Sequence, residues 1–214
     1  MERQGDYVYI EDGAYTSANL LCIPEKYKAY IDLVFISKGQ IEDRILRLAE
    51  TLTSESKTRS IALIVILRGA FRFAKDLVDG IDRACYKEQF VYTIDFIRAR
   101  SYVGQTQHDI ILEGLDALDL EGKEVVIVED LVDSGNTLSR VASIIREKNP
   151  ASLKICVLIY KRNPENTRIV PDHIGFSVPN EWIIGYHTDY NNYFRDLPHI
   201  CLLNDAGKEE FRTK

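Results

Sequence analysis

Apolar runs alternate along the chain with amphipathic stretches. Residues 60–67, SIALIVIL, are apolar almost throughout and rich in β-branched side chains, which predicts a strand buried on both faces. KEVVIVED (123–130) and LKICVLIY (153–160) predict strands as well, and QFVYTIDFI (89–97) adds a further one. Residues 40–56 set Ile41, Ile45, Leu46, Leu48 and Leu52 at helical spacing, with acids early. Residues 68–84 do the same with Phe71, Phe73, Leu77, Val78 and Ile81, and a third helix over 136–150 is stopped by Asn149-Pro150. HIGFSV, WIIGY and HICLLN predict short late strands between Pro and Asn turns. Strands alternating with helices indicate an α/β fold with a mainly parallel twisted sheet flanked by helices. The stretch to about residue 36 reads as irregular. Residues 98–122 are polar and weakly periodic, and their length predicts a functional loop or lid.

The strand at 123–130 ends unusually. VVIVEDLVDSGNT runs from apolar residues straight into Glu129 and Asp130, then reaches Asp133 before a small-residue turn. Ligands of open parallel sheets sit beyond the carboxyl ends of the strands. Two carboxylates this close repel each other unless a cation such as Mg²⁺ joins them or a ribose diol donates to them. Ser134, Gly135, Asn136 and Thr137 then lead into a helix, whose free N–H groups make a nest for a phosphate. Helix capping by Asp133 or Ser134 explains one acid, not three. A ribose 5-phosphate satisfies both halves of the segment. There is no GxxxxGK[ST] loop and no GxGxxG turn. A receiver domain also places acids at a strand end, with Lys161 as its late lysine, but it leaves the phosphate turn unexplained.

With 214 residues, 45% of them hydrophobic, the chain fits one domain. A net charge of −6 argues against a nucleic-acid partner. No apolar run approaches the roughly 20 residues of a membrane span, and the first residues lack a signal-like pattern, so a cytoplasmic location and no membrane partner are expected. Cys22, Cys85, Cys156 and Cys201 are far apart without CxxC spacing, which points to reduced thiols.

VVIVEDLVDSGNT is similar to the diphosphoribosyl-binding motif of type I phosphoribosyltransferases. LLCIPEKY, LRGAFRFAKDLVDGI, DFIRARSY, YKRNP and GYHTDYNNYFRDLPHIC resemble, in order, segments of the branch that acts on 6-oxopurines. The resemblance implies that branch's fold, with a core over about 37–165 and a small hood, from about 1–36 and 166–214, over the carboxyl ends of the strands. It also implies transfer of ribose 5-phosphate from phosphoribosyl diphosphate to N9 of a 6-oxopurine. Mg²⁺ is the implied cofactor and a homodimer or homotetramer the implied assembly.

The resemblance assigns roles by position. Glu129 and Asp130 hold the ribose hydroxyls, partly through Mg²⁺. Asp133 lies near purine N7, and residues 134–137 cradle the 5-phosphate. Leu67, Arg68 and Gly69 form a diphosphate loop with a non-proline cis peptide. Ser101 and Tyr102 belong to a closing loop. Lys161 donates to the purine O6, Trp182 stacks on the base and Ile183 offers backbone groups to its edge. Asp189 binds a second Mg²⁺, and Arg195 meets the diphosphate. The chain departs from the common pattern at Arg68 for Lys, Ala70 for Gly, Asn136 for Lys, and His187-Thr188 for Ala-Leu. His187 is expected to face solvent. Alternatives to a hypoxanthine and guanine enzyme are a preference for xanthine or a non-catalytic nucleotide-binding paralogue.

Overall fold

The structure, a computed structural model, describes residues 6–101, 110–166 and 169–212. In chain order the elements are β1 (Val8–Tyr9), β2 (Thr16–Ser17), β3 (Leu33–Ile36), α1 (Lys38–Glu55), β4 (Ser60–Leu67), α2 (Phe71–Ala84), β5 (Val91–Ser101), β6 (Ile110–Glu113), β7 (Glu124–Val132), α3 (Asn136–Glu147), β8 (Ser152–Lys161), β9 (His173–Val178), β10 (Ile183–Ile184), β11 (Ile200–Leu202) and α4 (Asp205–Glu210). The large sheet has seven strands in the order β1-β9-β8-β7-β4-β5-β6. All its pairs are parallel except β5–β6.

The apolar runs explain the centre of this sheet. β4 alternates its buried side chains between two cores: Leu63 and Val65 point to the side of α1 and α2, while Ala62, Ile64 and Ile66 point to the side of α3. α1 starts at a capping box in which Ser37 and Gln40 satisfy each other's backbone N–H. It buries Ile41, Ile45, Leu48 and Leu52. Gly80 lets α2 close on it, since a Cβ there would press on Ala49.

Two expectations need correction. Residues 98–122 are not loop throughout: β5 runs on to Ser101, and β6 pairs back on it from Ser101↔Ile110 to Arg98↔Glu113. The stretch before residue 36 is not wholly irregular either. It supplies β1 to the large sheet and β2 and β3 to a second, antiparallel sheet in the order β10-β11-β3-β2. That small sheet carries its own core, including Ile23, Tyr27, Val34, Phe194 and Cys201. Within the ranges expected to form the hood, β1 and β9 join the large sheet instead.

Candidate active site

The sheet changes direction at β4. The chain passes from β4 outward to β5, then returns to the other side as β7, so β4 and β7 flank the topological switch point. Their pairing stops at Val65↔Val128, whereas β7 stays bonded to β8 as far as Val132↔Tyr160. The two strands therefore part where Glu129 begins. A cavity of about 570 Å³ opens there. Leu67, Arg68, Gly69, Glu129, Asp130, Asp133, residues 134–137, Lys161, Trp182, Ile183, Asp189 and Arg195 all line it. Ser101 is the last residue of β5, and Tyr102 lies outside the described residues.

The floor is acidic. Glu129 is buried, 9% exposed, and burial followed by the charge of Asp130 pushes its carboxyl well above the usual range. Asp130 is half-buried and also raised by burial, an effect partly offset by a hydrogen bond with Glu129, by backbone N–H groups and by Arg195. Gly69 runs so close to Asp130 that any Cβ would overlap its carboxylate. The peptide between Leu67 and Arg68 is cis. Ala70, by contrast, sits at φ −69° in ordinary helical backbone at the start of α2, where a methyl fits.

At the far end of β7, Gly135 adopts φ +72° and forms the N-cap of α3 without a side-chain cap. Neither Asp133 nor Ser134 spends its side chain on capping. The first N–H groups of α3 are left facing the cavity turn. From the end of β8, Lys161, 7% exposed, brings its ammonium to 3.2 Å from Asp133 Oδ2. Asn163 donates through Nδ2 to Asp133 Oδ1 at 2.6 Å.

The roof comes from 182–195. Trp182 is 58% exposed and meets Tyr190 edge-on at 5.9 Å. Tyr186, His187, Asn191 and Asn192 all have positive φ, which folds this loop tightly back on itself. Asp189 pairs with Arg195 at 2.6 Å and accepts from the Asn192 N–H. Arg195 also donates to the His187 carbonyl at 2.6 Å. Tyr186 anchors the loop to α2 by donating to Asp76 at 2.5 Å beneath the guanidinium of Arg72. His187 does not face solvent: it is half-buried against Phe71, ring centres 5.7 Å apart, and burial with Arg195 nearby lowers its pKa.

Among the described residues no three His, Cys, Asp or Glu side chains gather as a metal cluster. Glu129 and Asp130 form a pair, and Asp189 stands apart on the roof beside Arg195. The cavity also includes Arg98 and Ala99 of β5 and Asn192 of the roof, which the sequence did not single out, and Thr188, one of the departures from the common pattern. The arginines of DFIRARSY were the available signal for Arg98.

A profile described as phosphoribosyl transferase domain matches residues 37–191. The chain is 38% identical over 199 residues to the hypoxanthine-guanine phosphoribosyltransferase of Homo sapiens, covering 91% of each. It is 36% identical over 215 residues to that of Sus scrofa, covering 99% of each. It is also similar to the crystal structure of hypoxanthine-guanine phosphoribosyltransferase from Schistosoma mansoni in complex with IMP, with a TM-score of 0.81 and 30% identity, over 97% of this chain and 100% of that one.

Proposed function

The chain belongs to the phosphoribosyl transferase family, and on that premise we propose how its site works. It is a purine salvage enzyme that transfers ribose 5-phosphate from phosphoribosyl diphosphate to N9 of a 6-oxopurine, hypoxanthine or guanine, giving IMP or GMP and diphosphate. One observation carries the reading: a single cavity joins an acid pair, an open helix N-terminus and the Lys161–Asp133 pair.

The N–H groups of the turn at 134–137 hold the 5-phosphate, and the hydroxyls of Ser134 and Thr137 add donors. Glu129 and Asp130 accept from the ribose diol. Arg68 and Arg195 flank the space for the diphosphate, where guanidinium forks suit phosphate oxygens. Lys161 donates to the purine O6. Asp133 faces N7 and holds the proton that moves as the glycosidic bond forms. Ile183 presents backbone groups to the base edge. Ser101 and Tyr102 would help shield the reacting centre from water.

The acid pair fits Mg²⁺. Burial raises the pKa of both carboxylates, and Asp130 raises that of Glu129 further, so the pair gains from a divalent charge. Mg²⁺ commonly takes one or two carboxylates, with substrate phosphates and water completing its shell. Glu129 and Asp130 would hold one ion and Asp189 a second. When bound, the ion supplies charge neutralisation for the departing diphosphate.

A cytoplasmic location is part of this reading; no described helix is long and apolar enough to cross a membrane. So is a homo-oligomer. Ile94, Phe96 and Ile111 leave apolar side chains exposed on one face of the β5–β6 ribbon, which supports a subunit contact there.

The test is diphosphate release from phosphoribosyl diphosphate with Mg²⁺ and a panel of purines including xanthine and adenine. Turnover is expected with hypoxanthine and guanine. Tight nucleotide binding without turnover on any base would leave a non-catalytic role. Trp182→Ala is expected to raise the KM for the base about tenfold with little change in kcat, because stacking on an aromatic contributes about 1–3 kcal/mol per base. An unchanged KM would make Trp182 mere surface.

A further inference from the structure

Asp133 stands on a turn with 48% of its side chain exposed. A carboxylate so placed has several rotamers open to it. Two groups restrain it, one on each oxygen: Lys161 at 3.2 Å from Oδ2 and Asn163 Nδ2 at 2.6 Å from Oδ1. They are not equivalent. Lys161 lines the cavity, and its ammonium is shared with the purine O6 once the base arrives. Asn163 lies behind Asp133, outside the cavity wall.

Asn163 is itself held. Its Oδ1 accepts from the backbone N–H of Glu165 at 2.9 Å, and its carbonyl accepts from Asn166 N at 3.0 Å. This is an Asx turn. The two side-chain contacts demand the same orientation of the amide, oxygen toward the N–H and nitrogen toward the carboxylate, so the donor is defined by its surroundings. The same turn touches the phosphate loop again, since a Cβ on Gly135 would come within 2.7 Å of Asn166 Oδ1.

We propose that Asn163 is a positioning residue for the transfer. Locked by the Glu165 N–H, its amide pins Oδ1 of Asp133 and so aims Oδ2 at the purine edge, including when Lys161 turns to the base. The proposal rests on the reading of Asp133 as the group that handles the purine proton. Small misplacements of a reacting group carry large rate penalties.

The separating variant is Asn163→Asp. It keeps an acceptor for the Glu165 N–H, and with it the turn, but sets a carboxylate against Asp133 where the donor was. Steady-state kinetics should show kcat down roughly tenfold or more, with the KM for phosphoribosyl diphosphate within about twofold. Asn163→Ala should lose kcat similarly; if it fails to fold, Asn163→Asp still decides. In an Asp133→Asn background, Asn163→Asp should change the rate less than about twofold, because the two residues act as one unit. A near-normal kcat for Asn163→Asp overturns the proposal. So does a loss of kcat matched by a rise in that KM, which would mean a collapsed phosphate turn. Full activity of Asp133→Asn alone would instead overturn the reading of Asp133 on which the proposal stands.

Discussion

Asp133→Asn is expected to slow nucleotide formation by about 10²–10⁴-fold, the range typical for loss of a positioned acid or base. The substitution keeps the side chain's shape and one of its two acceptors, enough to serve Lys161 or Asn163 but not both. It removes the group able to take or hold a proton at N7. The 5-phosphate turn and Trp182 are untouched, so binding of IMP should stay within about tenfold, or 1.4 kcal/mol. Steady-state rates with hypoxanthine, alongside IMP titration of the same protein, check both halves. Unchanged turnover would remove Asp133 from the mechanism.

The second large effect is expected at Lys161. Lys161→Met should lower kcat/KM for hypoxanthine and guanine by about 10²–10³-fold, because sites built around a hydrogen bond discriminate strongly when that bond is lost. Lys161 is 7% exposed, and its stem fills space behind the Asp133 carboxylate. Methionine retains most of that volume, which separates the lost donor from a packing defect. The ammonium donates well to a 6-oxo group and poorly to a 6-amino group, itself a donor. Adenine, a poor substrate in either case, should therefore lose less than hypoxanthine. Equal losses for the two bases would show that Lys161 does not read the 6-position.

The central strands were legible because burial on both faces leaves a nearly continuous apolar run, as in SIALIVIL and KEVVIVED. The acids of VVIVEDLVDSGNT stood out for the opposite reason, since charge next to such a run demands an explanation. The outer part of the β5–β6 ribbon, beyond residue 97, was not legible. Its Arg98 and Glu113 pair across the ladder and Ile111 is exposed, so its pattern lacks the alternation of a half-buried strand. The roof hides part of its turn in Tyr186 and His187, which carry positive φ with little compositional warning, whereas Asn191 and Asn192 are ordinary turn residues. His187 was misplaced because its partner, Phe71, belongs to a helix far earlier in the chain. Ala70 looked like a worrying exchange for glycine. Its backbone proves ordinary, and the steric demand falls on Gly69 alone. Asn163 gave no signal because its contact with Asp133 spans 30 positions.

The antiparallel pairing of β3 with β11 joins residues 33–36 to residues 200–202. Seen from the ribosome, this orders events. A nascent chain that has released β8 and α3 already owns the phosphate turn and the acids, built from neighbouring segments. The roof at 182–195, proposed to hold the purine, is completed only when β11 returns to β3, a distant contact whose loop-closure entropy is met late. During synthesis the protein is thus expected to recognise a phosphorylated sugar before it can grip a nucleobase.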